Sequence, residues 1–562
     1  MRALLLVLAL SLVACGDDSG PAPDASTDAS TRRDGPTSDA RPPPRDGATP
    51  DGGTPGGALA CTLVDCAGAT GDTVRVTAGG DLQAALDAAQ PGDTIELAAG
   101  AVFRGNFVLR NRSGTGCITV RTSTPDADLP AGTAVTPADA PSLARLETAS
   151  DLPALRTEPG AHHIRLVGLE LAAVAGAAAF IEVVALGSTG SDQTTMPDVP
   201  HHIAVERSYV HGIPGANIKR GIGLNSASTC VVDSWIDEIH SDMQDSQAIG
   251  GFNGPGPYEI FGNHLEGSAE NIMFGGAVPA IADLVPSDIA IRRNHFIKPL
   301  AWRAGDPGNT GYTPWVKNLF ECKIARNVVL EGNVMENNWA GADQHGYAIV
   351  ITPRGEGGAA PWAVCENIRV ESNLILHVGG GLQIAGRDSG GPSQQTNRIV
   401  IRNNLIADIR ADYALDIVRV LQFNDVIDLV VDHNTFVYGS PGGYDLLRAF
   451  GENSTGFEYS NNVVPFGSGL WADCGTNAAA LTCRLPGAVL DRNVFIGGSA
   501  SGLPGMNFFP ADVAATGFAD HASGGADFHG YALAPGSAYA GMGTAGSTPG
   551  IDAAVLDAAL GR

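Results

Sequence analysis

Charge is scarce in this sequence, aromatics are scarcer, and basic residues are outnumbered. Charged residues make up 17% and aromatics 6% of 562 residues, and 34 Lys and Arg face 60 Asp and Glu, a formal net charge of −26. A field of that sign repels polyphosphates, which excludes a sequence-independent nucleic-acid partner. There is no glycine-rich nucleotide loop and no His-Glu-x-x-His phrase, and no cysteine spacing suits a thiolate zinc site. Glycine (73) and proline (35) are abundant instead, and 44% of residues are apolar. That mixture suits many short strands joined by tight turns around a large core.

Residues 1–15 read MRALLLVLALSLVAC: one arginine, then an apolar run too short to span a bilayer but right for an export signal. The run ends in Leu12-Val13-Ala14-Cys15, which resembles a bacterial lipobox. The resemblance implies cleavage before Cys15, acylation of that residue and attachment to a membrane through it; an ordinary signal peptide with an incidental cysteine is the plainer alternative. Gly16 in place of aspartate after Cys15 resembles the outer-membrane class of such anchors, so the expected location is the cell envelope. Residues 16–60 are rich in Pro, Gly, Asp, Ser and Thr and can bury almost nothing, so a disordered tether is expected. The expected divisions are therefore a signal at 1–14, an anchor and tether at 15–60, a folded body at 61–510 and a closing segment at 511–562. Eight further cysteines, an even number in an exported chain, point to disulfides, with Cys61–Cys66 and Cys474–Cys483 as short-loop candidates.

The strongest internal signal is a recurring phrase of alternating apolar residues followed by Asn and another apolar or aromatic residue. Asn263, Asn294, Asn333, Asn373, Asn404, Asn434, Asn462 and Asn493 mark eight copies, and Leu169, Ser208 and Ser234 stand at the same point in three earlier ones. The copies recur every 26 to 40 residues. Most are followed by a second short apolar run such as GIGL, QAIGGF or NIMFGG. A period of that length marks a stacked repeat protein. Strand, bend, strand, loop, strand is one coil of a parallel β-helix, and the Asn residues can form an amide ladder from coil to coil. Asp81 to Ala89 reads as a short amphipathic helix able to cover the exposed edge of the first coil.

On these phrases, the chain from about Val74 to about Leu533 resembles the right-handed parallel β-helix, pectate-lyase-like superfamily. The expected fold class is all-β: a single-stranded right-handed parallel β-helix solenoid with an N-terminal capping helix, preceded by a lipoprotein signal and linker. The superfamily includes polysaccharide lyases, glycosidases, epimerases and non-catalytic surface proteins, so fold alone does not choose among them. The polygalacturonase motifs are missing, and the pectate-lyase Arg-Pro-x-x-Arg phrase occurs only as Arg41 to Arg45, inside the tether.

Loops on adjacent coils lengthen together at about 298–314, 337–345 and 354–364, with another at 387–397, and so can wall a cleft. Trp302, Trp315, Trp339 and Trp362 fall in this stretch, placed either to stack on sugar rings or to pack the loops down. Alternation puts Lys317, Glu321 and Lys323 on one face of a strand, and the next coils carry Arg354 and Arg387. A lysine among arginines would lose its proton easily and could abstract the α-proton of a uronate, while arginine pairs with the carboxylate. The alternative is a face of mutually satisfied ion pairs. In this register Cys322 and Cys365 fall on neighbouring coils and form a third disulfide candidate. His345 is a candidate acid or base, or a turn residue. His162-His163 and His201-His202 would stack across one coil step and could hold zinc, or are simply turn residues; Asp242, Asp245, Glu270 and Asn271 offer oxygen ligands for calcium, or are solvated turns. The expected function is a monomeric surface lipoprotein whose groove binds, and by β-elimination cuts, an extracellular polysaccharide; the alternative is a non-catalytic scaffold or adhesin.

Overall fold

The computed structural model describes residues 61–66, 70–439, 444–499, 502–521 and 528–562. The signal, Cys15 and the tether lie outside the described residues. Alternating sequence makes short strands, and these stack in parallel to give the expected right-handed parallel β-helix. Each coil contributes one strand to each of three sheets. Sheet A has 14 strands, from Thr73–Val76 to Val489–Asp491. Sheet B has 13, from Val102–Arg104 to Val494–Ile496, and sheet C has 13, from Phe107–Leu109 to a terminal antiparallel pair, Leu470–Ala472 and Gly475–Thr476. Inward positions of successive coils meet in register: Ile260, Ile291, Leu330, Val370, Ile401 and Val431 form one column, each at most 1% exposed. Each such residue contributes about 1.5–3 kcal/mol by leaving water. No helix among the described residues is long and apolar enough to cross a membrane.

The asparagine ladder is present and extends one step beyond the repeat, to Asn507. Each Asn Oδ1 accepts both the backbone N–H and the Nδ2 of the preceding ladder residue: Asn373 gives 2.9 and 2.9 Å to Asn404, and Asn404 gives 2.9 and 2.9 Å to Asn434. Each Nδ2 also donates to a carbonyl of the preceding coil, as Asn404 does to Val370 at 2.7 Å. Ser234 joins the same column from the earlier coils, donating its N–H to Asn263 Oδ1 at 2.9 Å. The residue before each ladder position turns the corner in the left-handed region, for example Arg293, Ser372, Asn403 and His433 at φ 53–55°. At Gly332 (φ 63°) the corner also meets the closing segment, where a Cβ would run into the Ala559 carbonyl.

The capping helix, Leu82–Ala88, starts at Asp81, whose carboxylate accepts the Ala84 N–H at 2.9 Å, and it buries Leu82 and Leu86. The closing segment does more than end the solenoid. It returns along the ladder corner, with Thr544 bonded to Asn461, Ser547 to His433, Asp552 to Asn403 and Ala559 to Arg293. Its Phe528, Tyr531, Ile551 and Leu556 pack on Leu374, Leu405, Ala407 and Val437 of sheet B.

The disulfides correct two expected pairings. Cys474–Cys483 forms, but Cys61 pairs with Cys230 and Cys66 with Cys117. The segment 61–66 runs along the solenoid axis rather than folding on itself, so its two cysteines point to coils three steps apart. Cys322 and Cys365 are buried thiols, and Cys365 Sγ lies 3.1 Å from the Cys322 carbonyl oxygen. Burial, with the Cys322 thiol beside it, pushes the Cys365 thiol well up.

Candidate functional site

The chain has four lysines, Lys219, Lys298, Lys317 and Lys323. All four lie close enough to a single carboxyl, that of Glu270, to interact with it electrostatically. Glu270 opens the sheet C strand Glu270–Phe274 and is fully buried. Its neighbours on the preceding coils stand in register and join hands: Arg220 bonds Glu182 at 2.8 Å and Gln247 at 2.9 Å, and Gln247 bonds Glu270 at 2.8 Å. Burial, then the carboxylates of Asp245 and Glu321, pushes Glu270 up to about 8 against the opposing pull of Lys317 and Lys323.

Lys317, Glu321 and Lys323 come together here, as alternation implied, but in pairs. Lys317 Nζ lies 3.0 Å from Asp245 and 3.7 Å from Asp343, and Lys323 Nζ lies 3.5 Å from Glu321. Burial would strip either lysine of its proton, yet the surrounding carboxylates outweigh it and hold both above the ordinary lysine value. Asp245 shows the counterpart: burial favours its neutral form, and Lys317 and Lys323 reverse that. Neither lysine is therefore the easily deprotonated base that its arginine neighbours implied. Arg354 donates its backbone N–H to the Lys323 carbonyl at 3.0 Å, but its guanidinium turns away onto Asp388 at 2.7 and 2.8 Å. Arg387 is held by Asp425 at 2.6 Å. Each arginine thus finds an acid one coil on, and the two do not converge with the lysines.

Three of the four tryptophans pack loops. Trp302 and Trp339 are each 7% exposed and share a cluster with Val316 and Tyr413. Trp362 donates Nε1–H to the Leu284 carbonyl at 3.1 Å. Trp315, two residues before Lys317, is 39% exposed. His345 lies 3.5 Å from Asp416, which is itself paired with Arg419 at 2.8 Å. The oxygen donors suggested for calcium are occupied separately: Asp242 bonds Asn217, Asp245 bonds Lys317, and Asn271 accepts from Lys298. Lys298, absent from the sequence reading, is fully buried and donates to Gly267, Ala269 and Asn271, with burial pushing it down to about 7.

Two further sets of side chains went unread in the sequence. From Glu321 onward, the outward positions of sheet C form a column: Val350, Gln383, Gln422, Arg448 and Trp471, one per coil in register. Tyr347 OH donates to Gln422 Oε1 at 3.1 Å, and the Arg448 guanidinium lies 4.2 Å over the Trp471 ring. On sheet B, the positions just after the ladder residue carry Tyr209, Trp235, His264 and His295. Burial pushes the nearby Asp237 up to about 6 and Glu266 up to about 7, and drops His264 to about 3. The sheet B set could have been found by reading one position past each ladder residue, but the sheet C column lies beyond loops of unequal length and keeps no fixed offset from the ladder. A cavity of about 550 Å³, lined by Tyr438, Tyr444, Phe518 and His521, lies under the closing segment and holds none of the expected site residues.

No family model and no curated protein matches the chain. Among solved structures it is similar to a mannuronic acid-specific polysaccharide family 6 lyase from the human gut microbiota, at 12% identity over 78% of this chain and 91% of that one, with a TM-score of 0.43. It is similar to an alginate lyase from a Paenibacillus species at 14% identity over 72% and 97%, TM-score 0.32. A pectate lyase matches at 14% identity over 85% and 92%, TM-score 0.35.

Proposed function

We propose that the outer face of sheet C binds an extended polysaccharide outside the cell, and that the protein is held at the cell envelope through a lipid on Cys15. The observation that carries the binding reading is the outward column of Gln383, Gln422, Arg448 and Trp471. Its planar polar and aromatic groups recur every ~4.8 Å along the axis, a repeat suited to a chain of sugar rings and their hydroxyls. Trp315, exposed beside the lysine cluster, offers a further stacking surface. The pairing of Lys317, Lys323, Arg354 and Arg387 favours the binding reading over β-elimination, because a protonated, carboxylate-bound lysine does not take the α-proton.

The test is affinity electrophoresis of the soluble folded chain against uronate polymers and neutral glucans, with absorbance of unsaturated ends followed in parallel. Retention by at least one polymer is expected, weakened about tenfold or more by Trp315→Ala combined with Gln422→Ala, a loss of about 1.4 kcal/mol. No unsaturated ends are expected. Absence of retention by every polymer would sink the binding reading, and accumulation of unsaturated ends would restore the lyase.

A further inference from the structure

The paired histidines stand apart from the sheet C face and take no part in that reading. His162 and His163 open the sheet A strand His162–Val167, and His201 and His202 open the next, His201–Glu206, with His201 in register with His162. Neighbouring residues of a strand ordinarily point to opposite faces. Here the second histidine of each pair is left-handed, His163 at φ 54° and His202 at φ 56°, which brings both rings of a pair to one side. His162 stacks on His201 with centroids 4.8 Å apart and planes 5° from parallel, and His163 stacks on His202 at 4.6 Å and 3°. Within each pair the rings are edge-on, and the two Nδ1 atoms approach to 2.8 and 2.6 Å. These ring nitrogens hydrogen-bond to each other, and the Asp65 carboxylate lies close enough to act on His163.

Two left-handed corners turn four imidazoles onto one spot, where a cation can take the place of the proton shared between the Nδ1 atoms of a pair. One ring nitrogen each from His163, His201 and His202 lies within 4.8 Å of the others. A metal bonded at 2.0–2.1 Å to each would draw them to about 3.4 Å, a movement within reach of small χ rotations. The donors are all imidazole nitrogen, which selects zinc, cobalt, nickel or copper and rejects the oxygen-seeking calcium and magnesium. All four rings are half-buried, so an ion can enter and a water can fill the remaining position.

We propose that His163, His201 and His202 bind one divalent transition-metal ion, with His162 as a positioning residue that stacks on His201 and braces His163. The chain would be purified without a histidine tag, stripped with chelator, and titrated with Co²⁺ by visible absorption and with Zn²⁺ by calorimetry. One ion per chain is expected, with cobalt bands of a low-coordinate nitrogen site. His163→Ala with His202→Ala should weaken binding about a hundredfold, and His162→Asn about tenfold or less. Thermal melting of the metal-free variants serves as the fold control, and His202→Gln is the fallback should the double variant fail to fold. A wild-type chain that binds neither ion stoichiometrically overturns the proposal, as does a well-folded His163→Ala, His202→Ala or His202→Gln protein that binds as tightly as wild type.

Discussion

At Glu270 burial, helped by the carboxylates of Asp245 and Glu321, pushes a carboxyl towards its neutral form although lysines stand close by. Its ordinary value is 4.5 and its folded value about 8. Below pH 4.5 the folded and unfolded chains both carry the proton. Between 4.5 and 8 the unfolded chain releases it while the folded chain keeps it, so stability falls across that window and then levels off. Glutamine cannot ionise and can still accept from Gln247. Glu270→Gln should therefore melt close to wild type at pH 5 and progressively higher than wild type towards pH 8; melting curves that track wild type throughout would contradict the assignment. The sequence could not reveal this residue as the centre of the cluster. In the sequence Glu270 offers either an oxygen ligand for calcium or a solvated turn, because nothing local signals that lysines 51 residues before and up to 53 residues after it all come home to the same place.

At the level of the element, the ladder is the device that fixes coil on coil. Removing one amide in mid-column strands the backbone N–H of the residue before it, takes one acceptor from that residue's Nδ2, and orphans a carbonyl of the previous coil. Asn404→Ala should cost about 3 kcal/mol by chemical denaturation, at about 1–3 kcal/mol for each unmet buried group, whereas Asn507→Ala, at the half-exposed end, should cost under about 1 kcal/mol. Equal losses at the two positions would mean the column is not cooperative. This element was the most legible feature of the chain, since from Asn263 to Asn493 the corner leaves the same letter in eight successive coils. The coils before Leu169 were harder to see: strands such as Thr94–Leu97 and Ile118–Thr122 stack in the same sheets but meet no amide at the corner. The pairing of arginines with acids one coil on was also hidden, because partners such as Arg354 and Asp388 lie 34 residues apart.

For the whole solenoid, the sequence separates covered from open surface once the coils are aligned. Just after the ladder residue, sheet B carries Tyr209, Trp235, His264 and His295 and then switches to Val334, Leu374 and Leu405. The apolar run begins where the closing segment lies down, and Leu374 and Leu405 are buried beneath it. Leu556→Asp, at a fully buried position of that segment, should release it, expose the patch to a hydrophobic dye and lower the melting temperature; unchanged dye binding would show that the segment holds by its hydrogen bonds alone. The opposite end has a different fastening, in which Cys61 is joined to Cys230 across 169 residues of chain. A pull exerted from upstream of Cys61 would bypass the first coils and enter the body at the sixth strand of sheet A. The edge most prone to peel would carry no load, and the tension would be met in shear by the middle of the stack.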